Sequence, residues 1–125
     1  EEARGDEGGN CLWIDNPFHP RRREMTLHAC WDDLPGPPWL RGDRLGKAAE
    51  RLATMGHRPE NAGTVGQWLK EGRTLAEMVV YEGLEGDVPT LTSAYHERAQ
   101  RTANERVVLA GRRRALLLEK LLRQQ

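Results

Sequence analysis

A chain of 125 residues is long enough for one domain, or for one piece of a larger one, and its nineteen basic and nineteen acidic side chains cancel. No global basic field therefore announces nucleic acid, and 38% apolar residues with a negative mean hydropathy leave thin material for a self-sufficient core. No apolar run is long enough to span a membrane, Glu1-Glu2-Ala3-Arg4 does not read as a signal peptide, and two cysteines allow a single disulfide, Cys11–Cys30.

Gly5-Asp6-Glu7-Gly8-Gly9-Asn10 reads as a loop. Its glycines tolerate positive φ and let the backbone approach a ligand closely, although a plain surface turn has the same composition. Cys11-Leu12-Trp13-Ile14 is a short strand-type run, and Asp15-Asn16-Pro17 turns the chain. Arg21-Arg22-Arg23, beside Phe18 and His19, could meet phosphate or form a solvated face. Glu24-Met25-Thr26 then leads into a helix, so a small hairpin running into a helix is expected here.

That helix is the centre of the sequence. Thr26 suits an N-cap, and Pro35-Gly36 ends the segment. Leu27, Trp31 and Leu34 make an apolar face, while His28 and Asp32, four residues apart, project together from a neighbouring one. A neutral imidazole and a carboxylate at that spacing can share one zinc ion. The same pair also serves as an ordinary surface hydrogen bond.

Pro35 to Gly42 predicts a rigid loop anchored by Trp39, and Asp43 is the expected cap of the next helix, with Leu45, Ala48, Ala49, Leu52 and Met55 at helical spacing before Gly56. His57 reads as an exposed loop residue. Thr64 and Gln67 have the spacing of a capping box, ahead of a helix carrying Trp68, Leu69, Leu75, Ala76, Val79 and Val80. Thr92 or Ser93 caps the longest helix, expected to run to about Arg123 on a stripe of Tyr95, Ala99, Ala103, Val107, Ala110, Leu117, Leu118, Leu121 and Leu122. Gly111 inside it costs about 1 kcal/mol relative to alanine and predicts a close helix crossing or a bend, and Arg112-Arg113-Arg114 reads as a solvated turn. The fold class is all-α, with three or four helices, a β-hairpin near the N-terminus, and strands over less than roughly a tenth of the chain.

Four segments, in order, resemble one family. Gly5-Asp6-Glu7-Gly8-Gly9-Asn10 resembles the Gly-Asp-Arg-Gly-Gly-Asn segment of the secreted three-zinc, single-strand-preferring nucleases and 3′-nucleotidases, the S1/P1 nucleases, whose fold is phospholipase C-like. Leu27-His28-Ala29-Cys30-Trp31-Asp32 resembles their Asn-Leu-His-x-x-Trp-Asp helix. Trp68 to Tyr81 is similar to a third family helix, and Leu91 to Tyr95 with Glu105 to Arg113 to the long C-terminal one.

The resemblance implies that His28 and Asp32 are ligands of one zinc, the more separate of the family's three. It also implies that Gly8 and Asn10 line the pocket for the base of the scissile nucleotide. In the family the other ligands, and the aspartate that serves the attacking water, precede the Gly-Gly-Asn segment. Residues 1–125 are therefore expected to be a single domain that forms the C-terminal part of a nuclease domain, with no catalytic residue of its own. By the same resemblance the protein is secreted or periplasmic and hydrolyses single-stranded DNA or RNA to 5′-nucleotides. Its partners would be the strand and the missing N-terminal half, and this chain alone would be inactive. His19, His57 and His96 lie on other segments without partnering motifs. The rival expectation is a non-catalytic or degenerate helical module that uses Arg21–Arg23 and Arg112–Arg114 for anionic partners.

Overall fold

Alternation decides the first element. Trp13, Ile14 and Asp15 form strand β1 (Trp13–Asp15), which pairs antiparallel with β2 (Glu24–Thr26) in the computed structural model, where residues 5–37, 39–56 and 58–124 are described. Ile14 faces Met25 across the pair and both are fully buried, whereas Trp13 is exposed, as the two-residue period of a half-buried hairpin requires. Residues 89–91 run alongside β1: Asp15 N–H donates to the Pro89 carbonyl at 2.9 Å, and Leu91 N–H donates to the Asp15 carbonyl at 2.9 Å.

β2 passes directly into helix α1 (Leu27–Asp33). The Thr26 hydroxyl accepts from Ala29 N–H at 3.2 Å and so caps one of the free amides of the first turn. Helix α2 spans Gly42–Ala53 and helix α3 Val65–Leu75; a π-helical segment, Ala76–Val80, extends α3, and helix α4 runs from Ser93 to Leu122. Among the described residues these four α-helices dominate, and the expected all-α fold with a small N-terminal hairpin is borne out. The capping box forms as expected: Gln67 N–H donates to the Thr64 hydroxyl at 3.2 Å, and Thr64 N–H donates to Gln67 Oε1 at 2.8 Å. Thr92 caps α4 through Tyr95 N–H.

Asp43 is not the cap of α2. Arg41 holds that position with no side-chain bond to the helix's first amides, and Asp43 lies in the first turn, where a carboxylate favours the positive end of the helix. Gly111 marks no close crossing, since a Cβ there would meet nothing within 4 Å. Cys11 and Cys30 are both free thiols, one exposed and one buried. Pro38, in the proline loop, and His57 lie outside the described residues.

The core gathers Ile14, Met25, Leu27, Cys30, Leu34, Leu91, Tyr95, Ala99 and Ala103. Tyr95, Ala99 and Ala103 sit four residues apart on α4, so they share the face that is buried in this core. The buried stripe stops there, and Leu117 to Leu122 further along α4 are largely exposed. Tyr95 ties three elements together. Its hydroxyl donates to the Val80 carbonyl at 2.6 Å, at the end of the π segment, and accepts from Trp31 Nε1–H on α1 at 3.1 Å. Helix α3 is clamped to α4 by Glu71, which accepts from Arg106 at 2.9 Å and bidentately from Arg113 at 2.9 and 2.7 Å. No described helix is long and apolar enough to cross a membrane.

Candidate functional site

The glycine loop is built around Asp6. Its Oδ1 accepts from Gly8 N–H at 3.2 Å, and its backbone carbonyl accepts from Cys11 N–H at 3.0 Å, closing an Asx turn with Glu7, Gly8 and Gly9 all at positive φ. The closed loop sits on the start of α1. The Gly9 carbonyl accepts from His28 N–H at 3.2 Å and the Leu12 carbonyl from Leu27 N–H at 2.8 Å, so two amides of the first turn are satisfied by the loop. Gly9 has φ +87°, and an added Cβ would stand 3.1 Å from the His28 backbone nitrogen, so only glycine fits.

This contact sets the chemistry of His28. Its Nδ1 lies 3.1 Å from the Gly8 carbonyl oxygen, which can only accept, so Nδ1 carries the proton. Nε2 then presents its lone pair on the other side of the ring, 3.4 Å from Asp32 Oδ2. Two acceptors at that separation repel unless a proton or a cation lies between them. A tetrahedral zinc with bonds of about 2.0–2.1 Å holds neighbouring ligand atoms about 3.3 Å apart. A carbonyl fixing the tautomer of a ligating histidine is the usual outer support of such an ion. Both side chains are open to solvent, at 47% exposed for His28 and 71% for Asp32. The pair therefore fits two of the ligands of one zinc. Among the described residues no group of three His, Cys, Asp or Glu side chains could hold a metal, so the pair by itself makes no complete metal site.

Residues 1–123 match the family described as S1/P1 Nuclease. The chain belongs to the S1/P1 nuclease family. No curated protein and no solved structure matches it. Membership gives this S1/P1 nuclease chain a function of the nuclease type, within the hydrolases.

The remaining expected residues fall as follows. Gly8 touches His28 through its carbonyl. Asn10 is exposed on the same loop, and its amide N–H donates back to the Glu7 carbonyl at 3.1 Å, which leaves Oδ1 without a partner among the described residues. Cys30 points away from the pair into the core. Burial pushes its thiol up to about 11, and Asn16 Nδ2–H reaches its sulfur at 3.4 Å.

Two residues that hold the loop beside His28 were not singled out from the sequence. Tyr81 donates its hydroxyl to Asp6 Oδ2 at 2.6 Å, tying the glycine loop to the end of the π segment; this bond, with partial burial, pushes the phenol up to about 12. An aspartate two residues before a glycine pair is an Asx-turn signal, so Asp6 could have been found. Nothing local to Tyr81 points to it. His19 is also not without a partner. Its Nδ1 accepts from the Arg21 and Arg22 amides at 3.2 and 3.1 Å, and its Nε2 lies 3.3 Å from Asp33 Oδ2, which organises the hairpin loop.

The two arginine runs, expected on solvated faces, are largely occupied internally. Arg23 pairs bidentately with Asp15, Arg21 stacks 3.8 Å over the Trp39 ring, Arg112 donates to the Ala53 carbonyl at the end of α2, and Arg113 binds Glu71.

Proposed function

We propose that the chain is part of a zinc-dependent nuclease that hydrolyses single-stranded DNA or RNA, with His28 and Asp32 holding one zinc. The observation that carries this reading is the opposition of His28 Nε2 and Asp32 Oδ2 at 3.4 Å while the Gly8 carbonyl holds the proton on Nδ1. When bound, the zinc supplies Lewis acidity toward a phosphate oxygen. The residues of this chain do the rest of the local work. The Gly8 carbonyl keeps the imidazole in one tautomer and orientation. The Asp32 carboxylate balances positive charge on the face of α1 open to solvent. Asn10, on the tight loop, offers an amide oxygen to the edge of a nucleobase, and the flanking glycines allow that base to come close. In the overall reaction water adds to phosphorus and the P–O3′ bond breaks, leaving a 3′-hydroxyl and a 5′-phosphate.

The remaining ligands and the group that activates water come from outside this half-site, in keeping with the family order in which they precede the glycine loop. On this reading residues 1–125 are one domain-forming segment, C-terminal in a phospholipase C-like nuclease domain, and the protein is secreted or periplasmic. The degenerate-module alternative is supported by the absence of a third ligand among the described residues. It is weakened by the internal engagement of Arg23, Arg112 and Arg113.

The test measures zinc binding and cleavage of single-stranded DNA and RNA, by residues 1–125 alone and by the same chain joined to a segment carrying the family's other ligands. Zinc-dependent cleavage by the joined form, lost in His28→Ala and Asp32→Ala, supports the reading. An inactive joined form that binds no more zinc than the two variants assigns the degenerate module.

A further inference from the structure

A concavity lies on elements that the His28–Asp32 pair does not use. It has a volume of about 710 Å³ and opens between α3, α4 and the loop before α3. Asn61, Gln67, Lys70, Glu71, Arg106 and Arg113 line it.

Counting donors and acceptors shows what this wall can bind. The Asn61 side-chain oxygen is taken by Gly63 N–H at 2.9 Å, and the Gln67 oxygen by Thr64 N–H at 2.8 Å. Both amides therefore have only their NH₂ groups left to offer. Both Glu71 oxygens are taken by Arg106 and Arg113, and the two guanidiniums hold its carboxyl down at about 2. That carboxylate stays ionised and has little acceptor capacity to spare. Arg106 gives it a bond from Nη1 alone, so further N–H groups remain. Lys70 has no ion pair among the described residues. Three cations stand against Glu71 and Glu60, which leaves the wall with an excess of one positive charge. The Glu60 carboxylate and the Thr74 hydroxyl also line it and can accept, but the other open side-chain groups are N–H donors, and the net positive charge makes the wall complementary to an oxyanion.

We infer that this concavity is a second, non-catalytic subsite that holds a phosphodiester group of a single-stranded nucleic acid, with Lys70 and Arg106 as its contacts. It rests on the nuclease reading only for the choice of strand phosphate over free phosphate. A backbone anchor away from the chemistry binds without regard to sequence and adds to the salt dependence of strand binding. Lys70 is the residue free to move to the ligand, and Arg106, steadied by Glu71, is the fixed one.

The experiment uses residues 1–125 in EDTA, so that binding is read without cleavage. Inorganic phosphate and a single-stranded octanucleotide are titrated in turn, with binding followed by side-chain NMR signals of Lys70, Arg106 and Arg113. The affinity of the octanucleotide is then measured against salt. Lys70→Gln removes an exposed, unpaired cation and leaves the Glu71 clamp alone; Arg73→Gln, a charge loss elsewhere on α3, is the control. The expected result is signal shifts at all three residues with the octanucleotide. Lys70→Gln should then bind about five-fold more weakly, with a salt slope shallower by about 0.7, while Arg73→Gln stays close to the parent. Equal loss in both variants, or shifts confined to other surfaces, overturns the subsite. Shifts with inorganic phosphate but none with the octanucleotide overturn the strand assignment. Binding here is independent of zinc, so a joined enzyme that cleaves without using this surface rejects the subsite and keeps the nuclease reading. Strand binding here by a protein that never cleaves does the reverse.

Discussion

Tyr81 and Asp6, 75 positions apart in the chain, are joined by a 2.6 Å hydrogen bond from phenol to carboxylate. Asp6 in turn accepts from Gly8 N–H, and the Gly8 carbonyl accepts from His28 Nδ1–H. The four residues form one continuous path from the end of the π segment to the imidazole.

Tyr81→Phe should therefore loosen the glycine loop while leaving the core packed. The expected outcome is a loss of the single Nδ1–H tautomer of His28, read from its ring nitrogen shifts, and zinc affinity lower by roughly ten-fold. Unchanged nitrogen shifts would show that the loop holds its shape without the tether.

Gly9→Ala tests the seat of the loop on α1. The φ of +87° and the 3.1 Å approach to the His28 nitrogen leave no relaxed position for a methyl group. Urea denaturation should show a loss of about 1–2 kcal/mol, larger than that of Gly5→Ala, where a Cβ would meet nothing.

Glu71 makes stability depend on acid. Its folded carboxyl sits at about 2, below the ordinary 4.5, chiefly through the bonds from Arg113 and Arg106. A depressed carboxyl stabilises the fold fully above about 4.5, and that contribution is lost as pH falls toward 2. Glu71 is 36% exposed, so screening by water limits the effect to about 1 kcal/mol. Melting temperatures of the parent and of Glu71→Gln should differ at pH 7 and converge on acidification. A constant gap would remove the ion pairs from the account.

Tyr95→Phe keeps the ring and removes the hydroxyl shared by Val80 and Trp31. One partly buried carbonyl and one indole N–H lose a partner each, so thermal denaturation should show a cost of about 2 kcal/mol. A neutral effect would mean that water replaces the hydroxyl.

Much of this molecule is local, and the local part was legible. The caps at Thr26, Thr64 and Thr92, the span of α4 and the hairpin running into α1 depend on side chains meeting amides two or three residues away, so short patterns report them. The spacing of His28 and Asp32 is likewise a property of one helix turn. Motif order pointed to the family, and the match over residues 1–123 shows it.

The tertiary structure alone decided the rest. Periodicity marks which face of α4 is apolar, yet Ala103 is buried and Leu121 is 60% exposed on that same stripe, because what covers a face is set by distant chain. The arginine runs read as solvated charge until folding set Asp15 beside Arg23 and Glu71 beside Arg113. The proton on His28 Nδ1 was likewise beyond reach from sequence. It depends on a carbonyl 20 residues away, held by an aspartate that is itself held from 75 residues away. Helical spacing can bring an imidazole and a carboxylate together, but only long-range hydrogen bonds determine which ring nitrogen carries the proton.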